Sequence, residues 1–555
     1  MYISGTIRGA ADNVDTTVAR TVQTFLMSSA FGRMKEVVAL YPVKRLTGQQ
    51  LADYSRKVIA LLKRHGLSVI VLISDDNKMN QNMFEELKPF LEENGIKAMY
   101  DPVHILKNLR NNLLNKRAFM IPAFQDFPDP SKIQDGEEVF GVMFEDLIRL
   151  YQKEADQLLK QAPKLTYKAL FPSNLERQKV SLAMKIFDDT TIAALKNNKA
   201  EVGTILFLDL FRKWITIFNI KNPFHGIKSR NPLARPFTSE NDERLQFLEK
   251  FIRWLQHWEH ISLTFDTNFL TIDTHKAVLQ TTRTMIDIIK IYNRKPNVEY
   301  ILPGKFQTDN TEHRFSNYRQ LCGGNYNVSV QQILEAEKKI RMKSLLGTKS
   351  AQYGKIQFRI QNIKELCPQS ELENVNPNCA VEMFDSILDH YDENDVSIDK
   401  YALLFTGGYA AYQVANQIDC DLCRGFLRTE DTKGNYFQIL NRGGLTIPSM
   451  QTEIVAQHAH TILHLLRSEN YETAFLRATN QKQILMKLTR DVLLLDGNFS
   501  EDNVCTCKRS HFDLIDKLLP IFANILLKNY VKEHNDLAAR GKYQGKKRKA
   551  DTLKD

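Results

Sequence analysis

SVIVLISDDNKMNQNMFE, residues 68–85, passes from an apolar run through an acidic pair into a polar segment with helical spacing. Residues 68–74 form a short continuous apolar run. It has the length of one strand and the pattern of a strand buried on both faces. The run stops at Asp75-Asp76, and a helix is expected over 80–94. Upstream, residues 19–28 (ARTVQTFLMS) and 35–43 (KEVVALYPV) read as strands with Gly32 in the turn between them, so they pair as a hairpin. Thr47 opens a helix whose apolar positions Leu51, Tyr54, Val58, Leu61 and Leu62 keep helical spacing, and Gly66 ends it. Downstream, a short strand is expected over 96–100. A helix then opens at Asp101-Pro102, where an acidic cap followed by proline is a start signal. The order is strand, strand, helix, strand, helix, strand, helix. A hairpin followed by strands joined through helices gives a mixed sheet.

Residues 123–345 read as almost wholly helical. The segments 167–195, 205–218, 240–260 and 274–292 carry apolar residues at three- and four-residue spacing. Residues 222–238 (NPFHGIKSRNPLARPFT) interrupt the pattern with three prolines and a glycine and read as a loop. Residues 346–390 are mixed and polar, and a second helical region is expected from about 396 to 535.

The composition of the 555-residue chain, 43% hydrophobic and 25% charged, excludes disorder along the whole length. The length allows about three to four domains. The formal net charge is +10. The tail from 541 to 555 has six Lys/Arg against two Asp, so the body is only mildly basic. That balance suits a polyanionic partner. No apolar run is long enough to span a membrane, and the N-terminus lacks the pattern of a signal peptide. Seven scattered cysteines favour a reducing compartment over a disulfide framework.

Six ordered strings are more specific than the pattern of elements. They are ISDDNKMNQNMFE (73–85), DPVHILKNLRNN (101–112), PSNLERQKVSLAMKIF (172–187), TSENDERLQFL (238–248), GKFQTDNTEHRFSNYRQLCGGNYNVS (304–329) and NRGGLTIPS (441–449). Together they resemble the P-element transposase family, including its THAP-domain relatives, strongly over about 15–345 and more weakly beyond. The resemblance implies α/β plus all-α architecture. A ribonuclease-H-like mixed sheet is interrupted by a large helical GTP-binding insertion and followed by a helical C-terminal region. The expected boundaries are 1–139 and 291–345 for the two parts of the ribonuclease-H-like domain, 140–290 for the insertion, 346–395 for a linker, 396–540 for the C-terminal region and 541–555 for a basic tail.

The family implies cut-and-paste DNA transposition with two Mg²⁺ or Mn²⁺ ions held by acidic residues. Clustered carboxylates suit this chemistry, because two hard cations about 4 Å apart must bridge the attacking and leaving oxygens. Asp75 matches the family's second acid at the end of the central strand, where open α/β sheets place ligands. As a helix cap, Asp75 or Asp76 has a purely structural reading. Glu312 matches the third acid on a helix, and Asp309 shares its helical face. Asp101 and His104 form an Asp-x-x-His motif one turn apart, with either a supporting role at the metals or a plain capping role. Lys107, Arg110, Lys116 and Arg117 follow on that helix as candidate phosphate contacts. The first acid belongs on a strand before the hairpin, which would lie before Met1. Asp12 and Asp15 sit in a turn-like AADNVD segment. No Cys or His precedes His65, so the zinc-binding THAP module is not expected. A chain truncated or domesticated in this way would be catalytically impaired, and a binding protein is the alternative.

No Walker A string occurs. The resemblance instead implies GTP bound by the helical insertion, with Asn241-Asp242 toward guanine and Lys179 toward phosphate. Asp242 also reads as a helix-start residue. Cys420-x-x-Cys423 and Cys505-x-Cys507, with His511, have the residue types of a structural Zn²⁺ site; the ligands expected are Cys420, Cys423, Cys505 and His511, and scattered reduced thiols are the other reading. Lys546-Lys547-Arg548-Lys549 reads as nuclear localisation or as a DNA-touching arm. Transposases of this class pair two DNA ends, which implies a homo-oligomer.

Overall fold

The computed structural model describes residues 2–3, 6–7, 19–32, 34–124, 139–155, 157–265, 268–324, 328–353, 384–392, 396, 398–430, 435–478, 480–500 and 505–551. The chain divides into two compact units: residues 1–139 with 213–368, and residues 140–212 with 369–555.

The first unit contains the expected alternation. Strands β1 (Thr21–Ser28) and β2 (Lys35–Val43) form an antiparallel hairpin that pairs Thr21 with Val43 and Ser28 with Lys35. Helix α1 (Gly48–Arg64) is closed at its start by a reciprocal cap. The Thr47 side chain accepts from the Gln50 N–H, and the Gln50 side chain accepts from the Thr47 N–H. Strand β3 (Val71–Ser74), helix α2 (Lys78–Glu93), strand β4 (Lys97–Tyr100), helix α3 (Pro102–Lys116) and strand β5 (Ala118–Pro122) follow. Strands β3 and β4 run parallel, with Val71 opposite Lys97 and Ser74 opposite Tyr100. A helix lies between them in sequence, as a parallel crossover requires.

Residues Val71–Ser74 are half-buried, whereas the apolar run implies a strand covered on both faces. Among the described residues β3 pairs only with β4, and the β1–β2 hairpin forms a separate ladder. The second edge of β3 has no strand beside it among the described residues.

The rest of the first unit is helical: α4 (Glu243–Phe265), α5 (Ile272–Tyr292), α6 (Asp309–Leu321) and α7 (Val330–Tyr353). The span 140–290, expected as one insertion, is divided, and its later helices belong with the sheet. The reason is visible along β4. Thr281 Oγ1 accepts from Tyr100 N–H at 3.0 Å, Thr284 Oγ1 donates to Ala98 O at 2.9 Å, and Lys97 pairs with Asp287 at 2.7 Å. Threonines of α5 thus satisfy the polar edge of β4, which would otherwise invite another strand. Trp254 and Trp258 of α4 are fully buried, and Trp254 Nε1 donates to Pro122 O at the end of β5.

The second unit is mostly helical. The segment 167–195, expected as one helix, is broken into Tyr167–Leu170, Val180–Ile186 and Asp189–Asn197. Pro172 cannot continue a helix, and Asp188 starts a new one by accepting from Thr190 N–H. Helices α8 (Lys400–Ala415), α9 (Asp421–Leu427), α10 (Met450–Leu466), α11 (Gln481–Leu495) and α12 (His511–Asp551) surround a core that includes Val414, Val455, Ile462, Leu488, Leu518 and Phe522. Gly408 permits close packing against residues 441–449, since a Cβ there would stand 2.1 Å from Thr446 O. Residues 541–551, expected in a separate tail, continue α12. Asp12, Asp15, residues 354–383 of the expected linker and the side chains of Lys546–Lys549 lie outside the described residues. Among the described residues no helix is long and apolar enough to cross a membrane.

Candidate metal centre

Three elements of the first unit deliver acidic side chains to one place: the end of β3, the start of α3 and the first turn of α6. His104 is the hub. Its Nδ1 lies 2.7 Å from Asp75 Oδ1 and 3.5 Å from Asp101 Oδ2, and its Nε2 lies 3.2 Å from Glu312 Oε1. Asp75 and Glu312, remote in sequence, therefore face opposite nitrogens of one imidazole. Nδ1 is buried and out of line for an N–H hydrogen bond despite the short separation.

The two aspartates differ in kind. Asp101 is 1% exposed. Its Oδ1 accepts from Val103 N–H at 2.8 Å, capping α3. Its Oδ2 accepts from Thr308 N–H at 2.9 Å and from the Thr308 hydroxyl. Asp101 is thus both the cap and the anchor that holds the start of α6. Asp75 is open: its side chain is 48% exposed, and its one hydroxyl contact, Thr308 Oγ1, is long at 3.5 Å. Neither Asp75 nor Asp76 caps α2. Asn77 does, accepting from Asn80 N–H at 3.0 Å. Asp76 turns into a polar cavity of about 270 Å³, where Gln81 and Asn108 donate to it.

The charges are mutually adjusted. Burial raises the Asp75 carboxyl, but the His104 contact, Lys107 and Thr308 outweigh it and hold the group below the ordinary carboxylate value. Burial lowers His104, but Asp75 and Asp101 outweigh that and raise it. Lys107 is lowered, chiefly by burial, against the attraction of Asp75, Glu312 and Asp101.

Asp75, Asp101 and His104 offer ligand atoms within 4.8 Å of one another. Hard divalent cations take oxygen ligands, and the open carboxylates of Asp75 and Glu312 fit that requirement. Asp101 fits it poorly, because three donors already occupy its oxygens.

Other expected residues lie elsewhere. Asp309 pairs with Lys221 rather than with the acids. Arg110 is fully buried and donates to Asn111 Oδ1, so it is not a surface contact for phosphate. Lys116 donates to Phe269 O, and Arg117 ends α3 in the left-handed region at φ 65°. Asp242 accepts from Arg244 through both oxygens, with Nε at 2.8 Å and Nη2 at 2.6 Å, and it caps α4 through Arg244 N–H at 2.9 Å. It is the helix-start residue, and its carboxylate is committed. Asn241 is exposed in the turn before α4, and Lys179 is exposed in the second unit. Around the cysteines, the four thiols Cys420, Cys423, Cys505 and Cys507 converge, whereas the His511 ring packs on Phe426 with centroids 4.7 Å apart. Cys507, not His511, completes the group.

Sequence reasoning missed Thr308. A threonine directly before an acidic helix start was the available signal, but its partner, Asp101, comes from another part of the chain.

Residues 3–88 match the family model described as TNP-like, RNase H N-terminal domain. Over those residues the chain is similar to the N-terminal ribonuclease-H-like domain of transposases. The fold is mixed α/β in the first unit, with a largely helical remainder among the described residues. Among solved structures it is similar to the Drosophila P element transposase strand transfer complex, with 18% identity and a TM-score of 0.46, over 60% of this chain and 72% of that one. A search of curated proteins finds no match.

Proposed function

We propose that the first unit of this transposase-like chain carries a divalent-metal site for DNA strand chemistry. The observation that carries this reading is the convergence of Asp75 and Glu312 on His104. When bound, two Mg²⁺ or Mn²⁺ ions would supply activation of the attacking oxygen and stabilisation of the leaving one. Asp75 and Glu312 would hold them, Asp101 would fix α6 through Thr308, and Lys107 would offset the phosphate charge beside the acids. Only two open carboxylates occur in this cluster among the described residues, which leaves the charge of two dications poorly compensated. DNA binding with little cleavage is therefore the expected behaviour of the chain.

The test is a strand-cleavage and DNA-binding assay with Mn²⁺ on inverted-repeat DNA. Wild type should bind DNA and cleave slowly or not at all. Asp75→Ala should weaken Mn²⁺ binding and leave metal-free DNA binding intact. Robust wild-type cleavage that survives Asp75→Ala would overturn the site, and absence of DNA binding would overturn the function.

We further propose GTP as a cofactor, a homo-oligomer that pairs DNA ends and nuclear import through the Lys546–Lys549 tetrad. All three rest on the resemblance or on composition. Because Asp242 is committed to Arg244, any guanine recognition falls to other residues. Titrating GTP and xanthosine triphosphate should give the same preference in wild type and Asp242→Asn. A switch of preference on substitution would return guanine recognition to Asp242.

A further inference from the structure

The four thiols of the second unit form a group with no part in the site above. Cys420 is the cap residue of α9, and Cys423 lies in its first turn. Cys505 and Cys507 belong to the turn that leads into α12. The sulfurs meet in pairs, Cys420 with Cys505 and Cys423 with Cys507, each at 3.4 Å, and all four lie within 4.8 Å of one another. A disulfide requires about 2.05 Å. Four thiolates around one zinc at about 2.3 Å stand nearly 4 Å apart. The spacing seen is that of a ligand set slightly closed in on itself.

The turn carries a second, independent feature. Cys505 N–H donates to Arg509 O at 2.9 Å, and Lys508 N–H donates to Cys505 O at 2.8 Å, with Lys508 in the left-handed region at φ 67°. A non-glycine residue in that region is uncommon. The Arg509 guanidinium also donates to Cys507 Sγ at 3.6 Å. Neutral thiols have little need of a cationic donor. Thiolates do, and a tetrathiolate bound to one dication keeps a net negative charge that Arg509 offsets.

We propose that Cys420, Cys423, Cys505 and Cys507 bind one Zn²⁺ as a closed structural site that clamps the α9 start to the α12 entry. Binding replaces four S–H bonds with four Zn–S bonds and releases four protons to solvent, with no change of oxidation state. Four protein ligands leave no open position, so the role is to fix the fold and not to catalyse. One cysteine pair opens α9 and the other sits on the turn before α12, and the metal closes the chain between them into a loop.

The full chain, purified with reductant and without chelator, should carry about one zinc. Cys423→Ser with Cys507→Ser should lose it and unfold at a lower temperature, while His511→Ala should keep it. Should the double variant fail to fold, Co²⁺ substitution of the wild-type chain gives the same answer, through the thiolate charge-transfer bands and visible bands of tetrahedral cobalt. Absence of zinc after supplementation, zinc retained by the double variant, or thiols that alkylate only after reduction would each overturn the site. The last outcome would show two disulfides in its place. None of these readouts depends on DNA or on the acids of the first unit.

Discussion

Replacing Asp101 with alanine should lower the stability of the metal-free first unit by about 2–4 kcal/mol, the sum of a lost helix cap and a stranded buried donor. Three hydrogen bonds end on this carboxylate: Val103 N–H, Thr308 N–H and the Thr308 hydroxyl. The first fixes the start of α3 and the other two fix the start of α6. Asp101→Asn should cost less, since its carbonyl still caps α3 while its amide faces the Thr308 donors. Urea unfolding of the metal-free chain, read alongside Mn²⁺ affinity, tests the assignment. A positioning residue costs stability before any metal is present and weakens Mn²⁺ only through Glu312. A residue that acted mainly as a ligand would behave in the opposite way. Its removal would relieve repulsion with Asp75 and leave the metal-free protein as stable as wild type or more so. That result would sink the anchoring role.

Local signals were legible in the sequence and long-range pairings were not. Thr47 with Gln50 and Asp101 with Pro102 are cap chemistry confined to four residues, and both helices begin where those residues place them. The apolar run 68–74 located β3, but its burial depended on a neighbouring strand, and period alone carries no information about neighbours. The same limit explains the division of 140–290. Helical spacing in 274–292 says that a helix has an apolar face. It does not say that Thr281 and Thr284 will bond the edge of β4.

The candidate site divides in the same way. Asp75, Glu312, Asp101 and His104 were singled out by a family resemblance, which carries tertiary information that composition lacks. Without it, Glu312 is one acid on a polar helix. Asp309 has the same residue type at a helical neighbour's spacing, and Lys221 draws it away. Cys507 and His511 are equally plausible fourth ligands by residue type. The turn at Lys508 decides between them by aiming the second thiol inward.

Arg244→Ala is expected to destabilise the first unit by about 3–5 kcal/mol, the range for removing one partner of a buried, hydrogen-bonded ion pair. Arg244 is 8% exposed and binds in two directions. It pairs with Asp242, and it donates to Leu233 O at 3.3 Å, Pro236 O at 3.1 Å and Arg235 O. Its guanidinium also lies 3.8 Å from the centre of the Phe237 ring. One side chain therefore fastens the proline-rich segment to the start of α4, and alanine would strand three carbonyls and a carboxylate. Burial raises the Asp242 carboxyl, but Arg244 outweighs it and the group ends below its ordinary value. A depressed carboxylate contributes stability that is complete above the unfolded value of about 3.9 and disappears as pH falls through the lower folded value. Asp242→Asn should therefore be less stable than wild type at neutral pH and converge on it in acid. Arg244→Ala should stay destabilised even there, because its carbonyl contacts do not titrate. Urea midpoints of the three proteins across that range decide the matter. A constant gap between wild type and Asp242→Asn down to full carboxyl protonation would show that the pair contributes nothing electrostatic.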